Sequence, residues 1–175
     1  MRGLFSRVSL IVIRQATLND FDAILDMCEE FWSHTQFTEP FEREHCAVMV
    51  QMSYDHGLLA VYDSQGPQGF IAAVKSPLLG SAYAITATEL AWWVNPPFRG
   101  TMAGIKLVNE LERLSKLQDV KYLNMAFMET SMPQAVRTLY EKLGYTLQET
   151  VFTKVLNHGS SNSNSCVGRS SRLFG

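Results

Sequence analysis

The stretch "PPFRGTMAGIKLV", residues 96 to 108, decides how the chain is read. Pro96 and Pro97 donate no ladder hydrogen bonds, so the β-prone run before them, "ATELAWWVN", must end there. Beyond them Ile105, Val108, Leu111 and Leu114 mark one face of an amphipathic helix predicted over 101–117. A turn that ends a strand and opens a helix presents unpaired N–H groups and the positive end of the helix dipole. It suits an anion such as phosphate. Arg99 and Gly100 lie in that turn.

Toward the N-terminus, "LLAVYDSQGPQGFIAAVKS" reads as two largely apolar strands around the turn residues "SQGP", an antiparallel hairpin, with a loop near "PLLGS" after it. "LIVIRQA" is a first strand. Thr17 then caps a helix over "TLNDFDAILDMCEEFW", with Asp20 three residues on as a capping-box variant. Phe21, Ile24, Leu25, Cys28, Phe31 and Trp32 recur at helical spacing and form one buried stripe. The polar linker "SHTQFTEP" leads to a second helix, "FEREHCAVMVQMSYDHG", closed by Gly57. Toward the C-terminus come a strand "VKYLNMAF", a helix "SMPQAVRTLYEKLGY" with Gly144 at its left-handed closing position, and a last strand "TLQETVFTKVL". The order is βααβββαβαβ, a single α/β domain over 11–156. Residues 157–175, rich in Ser, Asn and Gly, have little to bury and read as a disordered tail.

Composition narrows the function. At 175 residues and 46% hydrophobic content the chain can bury one core. A net charge of −2 gives no reason to expect nucleic-acid or membrane binding. The N-terminal run "MRGLFSRVSLIVIRQ" lacks the features of a signal peptide, and no apolar stretch approaches the roughly 20 residues that span a bilayer. Cys28, Cys46 and Cys166 are odd in number and far apart, which argues against a disulfide framework and for a reducing cytoplasm. His34, His45 and His56 are too widely spaced to assemble a ligand set locally, so no metal is expected. Adjacent strand residues face opposite sides, so Trp92 and Trp93 do not make a base-stacking platform.

The element order, with "WWVNPPFRGTMAG" followed at a distance by "AVRTLYEKLGY", resembles the GNAT superfamily of acetyl-CoA-dependent N-acetyltransferases over roughly residues 11 to 156. The resemblance implies a mixed, mostly antiparallel sheet flanked by helices, with two splayed central strands. It implies that Arg99, Gly100, Thr101, Met102, Ala103 and Gly104 cradle the cofactor's pyrophosphate. Against the family's loop pattern Q/R-x-x-G-x-G/A, Arg99 and Gly104 match, whereas Met102 stands where the pattern has glycine. The backbone of Trp92, Trp93 and Val94 would pair with the pantetheine arm as an added strand does. Tyr140 would protonate the departing thiolate, since a phenol and a coenzyme A thiol are both weak acids. Glu89 is the candidate base; strand register, or a bulge, decides whether it faces the cleft. Pro133 replaces an asparagine usual in the family, with Ser131 nearby as a substitute, and Arg137 and Lys106 are outside the expected site. The implied reaction is acetyl transfer from acetyl-CoA to a primary amine, with a homodimer left open. A non-catalytic acyl-CoA-binding module and a structural interaction protein are the alternatives.

Overall fold

The computed structural model describes residues 11–128 and 133–156. Strand β1 (Ile11–Gln15) is followed by a 3-10 turn (Leu18–Asp20) and helices α1 (Phe21–Trp32) and α2 (Arg43–Asp55). Strands β2 (Leu58–Ser64), β3 (Pro67–Leu78) and β4 (Ser81–Val94) precede α3 (Ala103–Leu117), β5 (Val120–Asn124) and α4 (Pro133–Lys142). The strands form one sheet in the order β1-β2-β3-β4-β5, antiparallel throughout except for the parallel pair β4–β5.

The apolar run at 58–62 is explained by burial on both faces of the sheet. Leu59 and Val61 face the core beneath α1 and α2, with Ile24, Met27 and Phe70. Leu58, Ala60 and Tyr62 face a second core beneath α3, with Leu107, Val108 and Leu111. A strand covered on both sides has no polar face to show. The expected capping box closes the 3-10 turn that leads into α1, with Asp20 accepting the N–H of Thr17 at 2.7 Å. Asp20 also pairs with Arg14 at 2.7 Å, and Arg14 reaches Asp63 of β2 at 2.7 Å, which ties β1 to its neighbours.

Three expectations are corrected. The loop near "PLLGS" is only a tight turn at Leu79 and Gly80, because β4 begins at Ser81 and pairs with β3 as one long hairpin. Strand β5 ends at Asn124 rather than running to Phe127. The last strand expected over "TLQETVFTKVL" is absent: residues 146–156 carry no regular structure, and no strand lies against them to complete a ladder. A β-prone sequence becomes a strand only with a partner for its backbone groups. The expected tail, 157–175, and Ser131 lie outside the described residues.

Candidate active site

The parallel pair opens where the chemistry is expected. Strands β4 and β5 pair from Ile85↔Val120 to Thr88↔Asn124, after which β5 ends while β4 continues through Val94. The β5 side of β4 over 89–94 therefore has no strand neighbour among the described residues. Helix α3 begins beside this opening, and its first-turn N–H groups have no acceptors within the helix.

A bulge sets which side chains enter the wedge. Ala72 of β3 pairs with Ala91, but Ala73 pairs with Glu89, so Leu90 is the extra residue. Ala87 and Trp92 accordingly both face the α3 core although they are separated by an odd number of steps. Glu89, two residues beyond Ala87, shares that face and points toward α4. Its carboxylate Oε2 accepts the N–H of Ala126 at 3.2 Å. On the same residue the Ala126 carbonyl accepts the hydroxyl of Tyr140 at 2.9 Å. One peptide segment just past β5 thus joins the two titratable groups.

Their electrostatics follow from this burial. Desolvation pushes the Glu89 carboxyl from an ordinary 4.5 up to about 7, and the Ala126 N–H pulls weakly the other way. Tyr140, 6% exposed, is pushed well above the usual phenol value, chiefly by burial and then by the negative charge of Glu89 and by Tyr145. At neutral pH the tyrosine holds its proton and the glutamate is poised between states.

The remaining expected residues divide by position. The Trp92 indole lies 6.3 Å from the Tyr140 ring and against Gly104, where an added Cβ would come within 2.9 Å of its ring. Its Nε1 is buried without a partner. Trp93 turns the other way, into the α1–α2 core, and contributes only backbone to the wedge. Arg99 Nε donates to the Val94 carbonyl at 2.8 Å, and its guanidinium stacks 4.1 Å above the Trp93 ring. Gly100 adopts φ +75°, and the Thr101 hydroxyl donates to the Phe98 carbonyl while accepting the Ala103 N–H at 3.1 Å. Ala103 is buried under the helix start. The Met102 side chain is 56% exposed and so directed away from the core. Pro133 opens α4, a position where the missing N–H costs nothing. Arg137 is paired with Glu141 at 3.0 Å, and Lys106 is exposed.

These features fit an acyl-coenzyme A: a stretch of β4 with one edge open, a helix start whose first-turn amides have no acceptor within the helix, and two titratable groups beside them. Sequence reasoning missed Ala126 and the Trp92 side chain. Nothing could flag Ala126, which acts only through its peptide groups; the adjacency of two tryptophans was the available signal for Trp92. Two cavities, of about 300 and 260 Å³, lie elsewhere, one among α3, β5 and the end of α4 and the other between α1 and the start of β3. Among the described residues no cluster of three or more His, Cys, Asp and Glu is placed to hold a metal, and no helix is long and apolar enough to cross a membrane.

A mixed sheet whose parallel pair opens beside a helix N-terminus is the fold of an acyltransferase. The chain belongs to the acetyltransferase (GNAT) family, whose family model matches residues 21–145. Solved structures share the fold. An acetyltransferase of Trypanosoma brucei is 20% identical with a TM-score of 0.64, covering 84% of this chain and 100% of its own. The aminoglycoside N-acetyltransferase AAC(6')-Iy in complex with CoA is 16% identical with a TM-score of 0.68, covering 87% and 99%. An aminoglycoside acetyltransferase from an uncultured soil metagenomic sample, in complex with sisomicin, is 13% identical with a TM-score of 0.64, covering 84% and 97%. No curated protein matches the sequence significantly.

Proposed function

We propose that the protein transfers an acetyl group from acetyl-CoA to a primary amine by direct attack within a ternary complex. The observation that carries this reading is the bridge through Ala126, which holds Glu89 and Tyr140 on one peptide segment at the mouth of the splayed strands. Acetyl-CoA supplies the activated acyl group. The chain supplies the rest. The edge of β4 that β5 leaves open, from Trp92 to Val94, pairs with the pantetheine arm once Arg99 gives up the Val94 carbonyl, and the α3 start, from Arg99 to Gly104, takes the pyrophosphate on its amides. Glu89, with a pKa near 7, accepts the proton of the incoming ammonium, directly or through water, and so releases a nucleophilic amine. A β4 amide in the unpaired stretch stabilises the charge that develops on the carbonyl oxygen. Tyr140, held protonated by its surroundings, donates its hydroxyl proton to the leaving sulfur and regains one from the acylated nitrogen, which sheds its second proton to become the neutral amide.

The Met102 and Pro133 departures are compatible with this reading. Met102 retains its backbone N–H and directs its side chain outward, and Pro133 serves as a helix start. The acceptor is an amine; aminoglycosides, polyamines and protein amino termini form the first panel, the aminoglycosides because two of the similar structures are aminoglycoside acetyltransferases. Incubation of the protein with acetyl-CoA and this panel, with detection of free thiol, tests the proposal. Acceptor-dependent thiol release is expected. Coenzyme A binding without turnover on any amine would instead identify a non-catalytic binding module, and no binding at all an interaction protein.

A further inference from the structure

We propose that Cys28 and Cys46 form an oxidisable dithiol, which hydrogen peroxide closes into a disulfide that staples α1 to α2. The two cysteines are distant in sequence, and both are free thiols in the structure. The fold brings them together. Helices α1 and α2 cover the same face of the sheet, with Cys28 buried in their shared core and Cys46 packed against it. The Cys28 thiol donates a hydrogen bond to the sulfur of Cys46. Arg43, one turn before Cys46 on α2, pairs with Asp26 of α1 at 2.7 Å and so fixes the two helices against each other beside the sulfurs. Oxidation of the pair requires no coenzyme A.

Their surroundings give the two thiols different parts. Cys46 is half-buried in the first turn of α2, where the positive end of the helix dipole favours an anion. The hydrogen bond from Cys28 pulls the Cys46 pKa below the usual thiol value, burial opposes it, and the Arg43 charge adds to the lowering. Cys28, 7% exposed, is pushed up, first by that same hydrogen bond, which a thiolate could not donate, and then by burial. Cys46 is therefore the thiolate that meets the oxidant, and Cys28 is the resolving thiol. In the first step the Cys46 sulfur bonds to one peroxide oxygen, the O–O bond breaks, and the departing hydroxide takes up a proton to become water. The Cys28 sulfur then attacks the Cys46 sulfur. The S–S bond forms as the S–O bond breaks, and the hydroxyl leaves as water with the Cys28 proton. The thiol pair is oxidised by two electrons and the peroxide is reduced to water. The staple holds both ends of the linker 33–42, in which His34 lies 5.1 Å from the Trp93 ring of β4 and Phe37 stacks on Trp32 at 5.3 Å. A cross-link there removes conformational freedom from the linker.

The test is peptide mapping by mass spectrometry, without reduction, of the full chain carrying Cys166→Ser after treatment with a small molar excess of hydrogen peroxide. Removing Cys166, the third cysteine, leaves a single possible pairing within the chain. A cross-linked peptide joining Cys28 to Cys46 is expected, with loss of both free thiols, their recovery in dithiothreitol, and slower amide exchange across 33–42 in the oxidised protein. Cys46→Ser on the same background should form no cross-link and keep its remaining thiol, because Cys28 alone is shielded from the oxidant. Sulfinic acid at Cys46 beside an unreacted Cys28 overturns the pairing, as does linkage found only between separate chains. A cross-link that leaves exchange across 33–42 unchanged overturns its effect on the linker.

Discussion

Replacing Glu89 with glutamine should make the protein more stable and nearly inactive, with both effects tied to one pH window. The carboxyl is raised from 4.5 to about 7 because ionising it in the wedge forfeits solvation that a single N–H from Ala126 does not replace. Between those values the folded state binds a proton that the unfolded chain has released. Stability therefore falls as pH rises through the window. At 1.36 kcal/mol per pH unit the gap from 4.5 to 7 amounts to about 3 kcal/mol lost by pH 8. Glutamine cannot ionise and keeps an oxygen for the Ala126 N–H. Glu89→Gln should thus match wild type near pH 4.5 and exceed it by up to about 3 kcal/mol at pH 8. Urea titrations at several pH values measure this difference. The wild-type rate should rise through about pH 7 as the base ionises, and in the variant kcat should fall by about 10²–10⁴-fold. A stability difference independent of pH would refute the electrostatic argument; full activity in the variant would refute the role of the base.

Tyr140→Phe keeps the buried ring and removes the donor to Ala126, so coenzyme A affinity should persist while kcat drops by about 10²–10⁴-fold. Calorimetric titration beside steady-state kinetics checks this, and an unchanged kcat across pH would remove the tyrosine from the reaction. Arg99→Ala should weaken coenzyme A binding by about 1–3 kcal/mol if its guanidinium leaves the Trp93 face for a phosphate; equal affinity by titration would show that its stack on Trp93 is its whole role. Gly104→Ala would place a methyl 2.9 Å from the Trp92 ring. The overpacking cost of about 1–3 kcal/mol is set against the roughly 1 kcal/mol regained by replacing glycine in a helix, so a net loss of up to about 2 kcal/mol is expected in denaturant melts.

What could be read from the sequence was what is locally determined. Pro96 and Pro97 stop a strand and the spacing of Ile105, Val108, Leu111 and Leu114 starts a helix, whatever surrounds them. The largely apolar run 58–62 read as a strand, which the structure covers on both faces, and the Thr17–Asp20 capping box appears as expected. What could not be read depends on a partner. Leu90 becomes a bulge only because β3 offers Ala72 and Ala73 to Ala91 and Glu89, and that one inserted residue puts the Trp92 side chain on the same face as Ala87 and Glu89. Ala126 matters through its peptide groups, so no side-chain pattern marks it. Arg99 was read as a phosphate ligand from its place in the loop; its actual contacts, Val94 and Trp93, require the loop to fold back on β4. The segment 146–156 has the composition of a strand, but composition does not supply the second edge that a strand needs.

In the proposed reaction the arrangement around Ala126 would also link the two proton transfers in time. Ionised Glu89 is one of the causes that lift the Tyr140 pKa, because its negative charge opposes a neighbouring phenolate. When Glu89 takes the proton of the ammonium that charge disappears. The phenol then becomes a stronger acid at the stage when sulfur begins to leave. Burial, the larger cause, remains in place throughout, so the tyrosine does not lose its proton to solvent beforehand. The peptide of Ala126 fixes the spacing on which this depends, since its N–H donates to Glu89 and its carbonyl accepts from Tyr140. Without the bulge at Leu90 the face that Glu89 shares with Ala87 would continue through Ala91 and Trp93, and the Trp92 indole that packs beside Tyr140 would lie on the opposite side of the sheet from the carboxylate.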